Sequence, residues 1–441
     1  MSSETFGEIT LERILARGNL MQALKKVEAN KGSCGVDGME TSELRAYFKS
    51  NPGKLTEQIL QGTFKPSPIR RVYIPKDNGE QRPLGIPTVI DRFVQQAIAL
   101  VLSEEYEKIF VDHSYGFRPN RDCRQAVRRA MEHIREGYEW VIDIDLRKFF
   151  DTVNHDFLVQ LLSRRIRDGR VISLIHKFLR APISEEGKVG KANRLGCPQG
   201  GVISPVCANV VLHELDIKLR EKNMRACRYA DDAVIFCKSR KAAERALKWI
   251  KKFIESKLHL RVNEDKTKIL KVGSPDVQFL GFSFTTKVSK AKKMKFPQYR
   301  YFPTVHVKKR KKLKESLRIL LDRRARGGID RIKRKLRLKL RGWANYFKKA
   351  VPISWVQDLD SWIRRRVRQL LWKQWKKPAN RYRELKLRWN KAPNVEKFAY
   401  SSNRYWHIVT CRPLQTGLSN NVLESEGWYS LEKALRTASG T

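Results

Sequence analysis

The sequence is poor in acidic side chains, and this shortage restricts the possible partners of the protein. Its 441 residues contain 46 Asp and Glu against 91 Lys and Arg, so the formal net charge is +45. Such an excess of one sign is typical of proteins that bind a polyanion. No apolar run approaches the roughly 18–20 residues that a membrane-spanning helix needs. Nucleic acid is therefore the expected partner, and a membrane is not.

Paired cysteines are also missing. The seven cysteines are odd in number and form no C-x-x-C pair, which argues against a disulfide framework and against a zinc knuckle. The first residues lack the apolar core of a signal peptide, and they carry three glutamates, which transit peptides avoid. A reducing cytoplasm is the expected compartment.

The positive charge is concentrated late in the chain. Residues 281–400 hold 38 basic and seven acidic side chains, and eight of the ten tryptophans lie at or after Trp343. Leucines recur there at helical spacing with cations on the other faces, which predicts basic amphipathic helices. Aromatic residues at such spacing stack on bases in some RNA-binding proteins but more often belong to a core. The pattern predicts a helical, phosphate-binding region.

The first 285 residues instead alternate strand and helix patterns, which predicts an α+β fold. The length predicts two or three domains. Helices are expected near 91–109, 122–136, 155–163, 171–180, 205–221 and 241–257. Strands are expected as a hairpin within 69–88, at 139–145, as a pair around Asp231, and at 258–271 and 276–284.

Two pairs of carboxylates stand in strand-like, apolar surroundings. "EWVIDIDL" places Asp143 and Asp145 on one face of a strand, and "RYADDAVIF" places Asp231 and Asp232 at a hairpin tip. Buried carboxylates require compensating cations. Two Mg²⁺ ions held by carboxylates from two strands are the arrangement that nucleotidyl transfer uses. The pattern predicts that these carboxylates lie inside the protein, around metal ions.

The order and spacing of several motifs resemble those of group II intron-encoded reverse transcriptases. The motifs are "IPKDNGEQRPLGIPTVIDRFVQQAI" at 74–98, "HSYGFRPNRDCRQAV" at 113–127, "DIDLRKFFDTVNH" at 143–155, "PQGGVISP" at 198–205, "YADD" at 229–232 and "VQFLGFSF" at 277–284. "LRGWANYFK" at 340–348 and "DLDSWIRRRVRQLLWKQWKKP" at 358–378 resemble the maturase region of that family. The resemblance spans almost the whole chain.

The resemblance implies a right-hand polymerase. Residues 1–285 would form fingers and palm, with 1–70 as an N-terminal extension. Residues 286–390 would form the helical thumb and maturase domain (domain X), and 391–441 a small C-terminal segment, a possible DNA-binding remnant. The family's Cys-pair and His-Asn-His nuclease motifs are missing, as in the bacterial class IIC branch.

The implied activity is RNA-directed DNA polymerisation with Mg²⁺ (two ions, with Mn²⁺ as an alternative). A maturase function implies binding to the group II intron RNA, with splicing and retrotransposition by target-primed reverse transcription. The implied partners are this RNA, an RNA template with its DNA primer, dNTPs and target DNA. The implied location is the bacterial cytoplasm, at the nucleoid.

The resemblance also implies a role for individual residues. Asp145, Asp231 and Asp232 would be the catalytic, metal-binding carboxylates, with Asp143 outside this triad. The nucleotide would be bound by Lys76, Arg82, Phe150, Gln199, Gly200 and Lys266. A primer grip would be formed by Phe279, Leu280 and Gly281, and RNA would be bound by Arg341, Trp343, Arg364, Arg365, Arg366 and Lys373. Weaker candidates for template or fingers contacts are Arg92 and Arg118.

Two alternatives stay open. The chain would act only as an RNA-binding splicing factor if polymerisation were vestigial, although the intact carboxylates argue against this. Alternatively, it is a reverse transcriptase adopted by its host for DNA repair or phage defence.

Overall fold

The computed structural model describes residues 6–75, 79–322, 324, 328–388, 395–401 and 405–437. The chain divides into two compact units, Met1–Val272 and Gly273–Thr441. Within the described residues, no helix has both the length and the apolar character needed to span a bilayer.

The first unit contains eleven α-helices, one 3₁₀ helix and eight strands among its described residues. Its helices are α1 (Leu11–Leu15), α2 (Arg17–Asn30), the 3₁₀ helix Thr41–Glu43, α3 (Leu44–Ser50), α4 (Lys54–Leu60), α5 (Val89–Glu107), α6 (Cys123–Arg135), α7 (Phe149–Thr152), α8 (His155–Ser163), α9 (Gly169–Leu179), α10 (Ser204–Glu221) and α11 (Arg240–Lys257). Its strands are β1 (Ile69–Pro75), β2 (Gln81–Ile86), β3 (Trp140–Ile144), β4 (Ile183–Glu185), β5 (Lys188–Val189), β6 (Arg225–Tyr229), β7 (Asp232–Cys237) and β8 (Lys268–Lys271).

Two four-stranded sheets organise this unit. One has the order β2-β1-β4-β5, and the other has the order β6-β7-β3-β8. In the second sheet β3 pairs antiparallel with β7, with Ile142 opposite Ile235 and Ile144 opposite Ala233. Ile142, Ile144 and Ile235 belong to the large core of the unit, which also contains apolar residues of α5 and α10. Packing against this core holds the end of β3 beside the start of β7, and the predicted catalytic carboxylates lie at this point.

The second unit is mainly helical. It contains β9 (Phe282–Thr285), α12 (Lys290–Lys295), β10 (Phe302–Val305), α13 (Val307–Leu320), α14 (Ile329–Phe347), α15 (Ile353–Gln374), α16 (Pro378–Arg388), α17 (Val395–Ala399), α18 (Tyr405–Ile408), α19 (Arg412–Gly417), α20 (Asn420–Ser425) and α21 (Leu431–Thr437). The apolar faces of α13, α14 and α15 form one core together with the short helices that follow. Leu317, Leu336 and Leu370 contribute to this core from the three long helices. The helix-spaced leucines of the sequence are therefore core residues.

The α+β class is confirmed, but the strand predicted over 258–271 is mostly wrong. Only Lys268–Lys271 is a strand. Leu258, Leu260 and Val262 are buried at every second position, which produces a strand-like pattern without a continuous ladder; Val262 forms only an isolated bridge to Leu146. The small hairpin β4–β5 was not predicted, because its strands of three and two residues are too short to show a period.

The buried carboxyl group of Asp91 in the first unit has an altered pKa. Asp91, at the start of α5, is 2% exposed. Its Oδ2 accepts hydrogen bonds from Ser67 N at 3.0 Å and Thr88 Oγ1 at 2.8 Å. Burial raises the pKa of Asp91 to about 6 despite these bonds. The folded protein therefore holds a proton on Asp91 at a pH where the unfolded chain has released it.

We expect Asp91→Asn to change how stability depends on pH. Between pH 4 and 6 the folded wild type binds more protons than the unfolded chain, so this carboxyl lowers stability as pH rises. Asn cannot ionise, so from pH 4.5 to 7.5 the variant should gain roughly 1–3 kcal/mol relative to the wild type. Melting midpoints at both pH values measure this, with exposed Asp156→Asn as the control. Parallel pH profiles of wild type and Asp91→Asn would contradict it.

Candidate active site and nucleic-acid surface

The two adjacent acidic residues lie on a tight hairpin. β6 and β7 pair with Tyr229 opposite Asp232, so Ala230 and Asp231 form a two-residue turn. Ala230 has a φ of +59°, a conformation that such turns require at a central position. Gly116 lies so close that a Cβ built there would overlap Ala230 N. The backbone of this turn therefore packs tightly against Gly116.

A buried ion pair between Arg228 and Asp216 stabilises this turn. Arg228, the residue before "YADD", is 2% exposed and Asp216 of α10 is fully buried. Arg228 Nε donates to Asp216 Oδ1 at 2.9 Å, and Nη1 donates to the Ala230 carbonyl at 2.8 Å. Nη1 also bonds Asn209 Oδ1 at 3.0 Å, and Nη2 bonds Ser114 Oγ at 2.7 Å. One guanidinium thus joins α10, the segment around Ser114 and the hairpin turn.

The charge state of this pair follows from its contacts. Burial alone would raise the pKa of Asp216, but the charge of Arg228 and hydrogen bonds from His113 and Arg228 hold it far below its usual value. His113 Nε2 lies 3.3 Å from Asp216 Oδ1. Asp216 is therefore ionised, and its charge is compensated within the protein.

Asp145 lies immediately beyond β3, opposite the start of β7. The β3–β7 register ends at Ile144 and Ala233, so the next pair in line would be Asp145 and Asp232. Asp145 Oδ1 accepts a hydrogen bond from Asn263 Nδ2 at 3.0 Å, and Lys266 Nζ lies 3.9 Å from Oδ2. The structure therefore brings Asp145 to the carboxylate hairpin, with Lys266 beside it.

These carboxylates influence one another electrostatically. Partial desolvation by the surrounding protein, and after it the negative charge of Asp145, raise the pKa of Asp231 although its side chain still reaches solvent, while Arg82 and Arg228 oppose the shift. Burial and Asp145 likewise raise the pKa of Asp143 to about 6. The charge of the group is thus only partly compensated by protein cations.

The expectation that both adjacent carboxylates lie inside is wrong: Asp231 is exposed and Asp232 is half-buried. Their position at a hairpin tip, beyond the last ladder pair, explains this. Among the described residues, no three His, Cys, Asp or Glu side chains form a ready group of metal ligands. The donor chemistry nevertheless fits Mg²⁺, because desolvation and the charge of Asp145 raise the pKa of Asp143 and Asp231, and a divalent cation would stabilise their ionised forms. The metal site stays a prediction.

The "PQGG" segment is joined to the first sheet through its backbone. Gly85 N of β2 donates to the Gln199 carbonyl at 2.7 Å. Gly200 has a φ of +115°, and a Cβ built there would overlap the Gly85 carbonyl oxygen. Glycine is thus required at 200 for a close approach of two backbones. Arg82 lies on the same strand, and its charge lowers the pKa of Asp231.

A cavity of about 320 Å³ lies beside this junction. Its lining includes Phe150, Gln199, Gly85 and Asp151. The Phe150 carbonyl accepts a hydrogen bond from Cys197 N at 2.7 Å, which ties α7 to the "PQGG" segment. The predicted nucleotide-binding residues Phe150 and Gln199 therefore line one cavity.

Three other predicted contacts have different outcomes. Lys76 lies outside the described residues. Arg92 and Arg118 are buried: Arg92 donates to the Ser33 carbonyl at 2.7 Å, and Arg118 forms a two-bond pair with Glu107. Both side chains are buried and bonded to loops of the first unit, which argues against direct contact with a template; a role in the fingers stays a prediction.

The predicted primer-grip residues form a turn in the second unit. Leu280 and Gly281 have φ values of +52° and +83°. Tyr346 Oη donates to the Leu280 carbonyl at 3.1 Å, and His306 N donates to the Gly281 carbonyl at 3.0 Å. A Cβ at Gly281 would lie 3.3 Å from Phe347. The turn is packed against the ends of α13 and α14, and its contact with a primer stays a prediction.

The predicted RNA-binding side chains lie on α14 and α15. Arg341, Arg365 and Lys373 are exposed, whereas Trp343, Arg364 and Arg366 are half-buried. Trp343 packs against Phe347 and Trp355, with ring centroids 5.0 and 5.4 Å apart. The predicted set therefore includes exposed cations on both helices, whereas Trp343 is largely engaged in packing.

Sequence reasoning missed several residues that position the carboxylates. They are Arg228, Asp216, Asn209, Gly116 and Asn263. Their partners are up to 118 residues away in sequence, as for Asn263 and Asp145. The only local signal was an arginine inside an apolar strand, which a buried ion pair explains.

Comparisons with known proteins agree with this geometry. Residues 74–284 match the family "Reverse transcriptase (RNA-dependent DNA polymerase)", and residues 310–389 match "Group II intron, maturase-specific domain". Protein YkfC of Escherichia coli (strain K12) is 34% identical over 342 residues, covering 68% of this chain and 88% of YkfC.

Two further relatives carry intron-related names. Group II intron-encoded protein LtrA of Lactococcus lactis subsp. cremoris is 29% identical over 359 residues, covering 65% of this chain and 59% of LtrA. Nuclear intron maturase 2, mitochondrial, of Arabidopsis thaliana is 34% identical over 93 residues, covering 21% of this chain and 12% of that protein. The chain therefore spans less than two thirds of these two relatives.

The fit at Gly116 predicts a position-specific loss of function. In Gly116→Ala the added methyl would overlap the Ala230 backbone and lie 2.8 Å from the Tyr229 carbonyl carbon, so the turn that carries Asp231 must shift. We expect primer extension to fall at least tenfold. The control is Gly169→Ala, because nothing lies within 4 Å of a Cβ there. Full activity of the Gly116→Ala enzyme would show that the turn tolerates displacement.

Proposed function

Because the chain belongs to the family of group II intron-encoded reverse transcriptases and maturases, we propose that it copies RNA into DNA and binds its own intron RNA. The observation that carries the proposal is that Asp145, immediately beyond the end of β3, lies next to the Asp231–Asp232 hairpin at the start of β7, the neighbouring strand of the sheet. In a right-hand polymerase this sheet would be the palm, the β1–β2 hairpin would belong to the fingers, and α13–α15 to the thumb.

Asp145, Asp231 and Asp232 would hold two divalent ions, Mg²⁺ or Mn²⁺. When bound, these ions would lower the pKa of the attacking 3′-hydroxyl and stabilise the leaving pyrophosphate. The protein itself contributes the fixed position of the carboxylates, through the Arg228–Asp216 pair on one side and Asn263 on the other. Asp143 lies within β3 and is paired in the ladders with both β7 and β8, whereas Asp145 lies beyond them, which supports the place of Asp143 outside the triad.

The cavity beside the "PQGG" segment would receive the incoming nucleotide. Phe150 would lie under the sugar, where its ring leaves no room for a 2′-hydroxyl and so favours dNTPs. Arg82 and Lys76 would hold the triphosphate, Arg82 by a bidentate fork. Gln199 and Gly200 would lie against the nascent base pair.

Lys266 would donate the proton that the leaving pyrophosphate needs. Its ammonium group lies 3.9 Å from Asp145 Oδ2 and its side chain is 64% exposed, so it can turn towards a bound triphosphate. This role requires Nζ to carry a proton before transfer.

The second unit would bind the intron RNA and the primer–template duplex. Its exposed cations, including Arg341, Arg365 and Lys373, supply phosphate contacts. Together, polymerisation and RNA binding would support splicing and target-primed reverse transcription into a DNA site.

The polymerase proposal is tested by primer extension. With an RNA template, a DNA primer and Mg²⁺, the wild type should extend, and Asp231→Ala with Asp232→Ala should not, because the ion-binding carboxylates are lost. Binding to a group II intron RNA should be unchanged in the variant. Asp156→Ala, an exposed acid on α8, is the matched control.

The outcome also separates the alternatives. Tight RNA binding without extension by the wild type would mean that the protein is a splicing factor. Extension without selective binding to a group II intron RNA would favour a reverse transcriptase with a host function.

The RNA surface predicts a contrast between two neighbouring arginines of α15. Arg365 is exposed, whereas Arg368 is buried and donates from Nε and Nη2 to the Leu418 carbonyl at 3.0 and 2.9 Å. Arg365→Gln should weaken RNA binding and reduce the log–log salt slope by about 0.7–0.9, the loss of one phosphate contact. Arg368→Gln should instead lower the melting temperature. Filter binding across salt concentrations and thermal melts measure both; an unchanged slope for Arg365→Gln would exclude its phosphate contact.

A further inference from the structure

Asp145 lies outside the hydrogen-bonded ladders of the sheet. The ladder of β3 with β7 ends at Ile144, and its ladder with β8 ends at Asp143. Asp145 therefore lies one residue beyond the last paired residue of its strand. Its backbone needs other partners, and its side chain has no neighbour in the ladder to orient it.

The loop 263–267 supplies those partners. Asn263 N donates to the Asp145 carbonyl at 2.8 Å, and Asp145 N donates to Thr267 Oγ1 at 3.3 Å. The loop is itself closed by Thr267 N donating to the Asn263 carbonyl at 2.9 Å. Both backbone groups of Asp145 are thus bonded to one short, self-closed loop.

The same loop contacts both carboxylate oxygens. Asn263 Nδ2 donates to Oδ1 at 3.0 Å, whereas Lys266 Nζ lies 3.9 Å from Oδ2. The terminal torsion of an Asp side chain has broad minima, so a rotamer preference does not fix the plane of its carboxylate. A directed hydrogen bond to one oxygen does fix it. The neutral amide does so without changing the net charge of the carboxylate group.

We propose that Asn263 is a positioning residue for metal binding: its amide holds Asp145 Oδ1, so that Oδ2 is presented to a cation. Lys266 is the cation beside Oδ2 in this structure. This inference rests on the proposed role of Asp145 as a metal ligand. Partners that orient metal ligands affect metal affinity even though they do not touch the ion.

The test measures metal binding directly as well as activity. Mn²⁺ binding is followed by electron paramagnetic resonance on the full chain with an RNA template, a chain-terminated DNA primer and dNTP. Mg²⁺ titration of primer extension is measured in parallel with an extendable primer. Asn263→Ala should raise the Mn²⁺ dissociation constant and the half-saturating Mg²⁺ concentration about 10- to 100-fold. Extension should recover in excess Mg²⁺, because all proposed metal ligands remain.

Asn19→Ala is the matched control. Asn19 also donates from a half-buried amide, to the Ile14 and Ala97 carbonyls at 2.7 and 3.0 Å, but it does not contact a carboxylate. It should change the melting temperature without changing either metal constant. If Asn263→Ala melts too early to assay, Asn263→Ser replaces it, and the same shift is required.

Asp145→Asn distinguishes a failure of the positioning role of Asn263 from a failure of the proposed metal-ligand role of Asp145. If Asp145→Asn abolishes extension and weakens Mn²⁺ binding but Asn263→Ala leaves both metal constants unchanged, the positioning role is refuted and the proposed function stands. If Asp145→Asn itself leaves extension and Mn²⁺ binding intact, the assignment of Asp145 as a metal ligand fails, and the inference fails with it.

Discussion

The buried ion pair between Arg228 and Asp216 is the interaction on which the carboxylate hairpin of Asp231 and Asp232 depends. Removing one partner of such a pair typically costs about 3–5 kcal/mol, because the other charge is left uncompensated in the interior. Here the same guanidinium also bonds the Ala230 carbonyl and Ser114. The position of the turn is therefore fixed by the same contacts that stabilise the fold, and a shift of the turn would disrupt a saturated network.

The protein treats its carboxylates in two opposite ways. Asp216 is surrounded by donors, and its pKa is far below the usual value. Asp231 has few compensating partners and a raised pKa. A structural carboxylate needs its charge neutralised by the protein, whereas a metal ligand must keep part of its charge for the ion. Asp216 and Asp231 thus differ in how the protein compensates their charge, but a raised pKa alone does not mark a metal ligand, because buried Asp91 also has one.

The helices and most strands could be predicted from the sequence because their apolar periods are long and their boundaries carry turn residues. The pairing of Asp145 with the hairpin could be predicted only through the resemblance of ordered motifs. The supports of the site could not, since Asp216, Asn209 and Asn263 look like ordinary polar residues in helices and loops. The exposure of Asp231 was missed for a related reason: an apolar strand pattern does not show where its ladder ends.

The tryptophans of the second unit decide what kind of RNA recognition its surface can offer. Trp372 and Trp375 are buried, and the guanidinium groups of Arg381 and Arg388 lie over their rings at 4.7 and 5.5 Å. Rings covered in this way cannot stack on bases, and those two cations are already engaged. In the proposed RNA complex, exposed cations on the helices would supply the phosphate contacts. Such contacts read phosphate rather than sequence, so selectivity for one intron would have to come from the shape of the folded RNA.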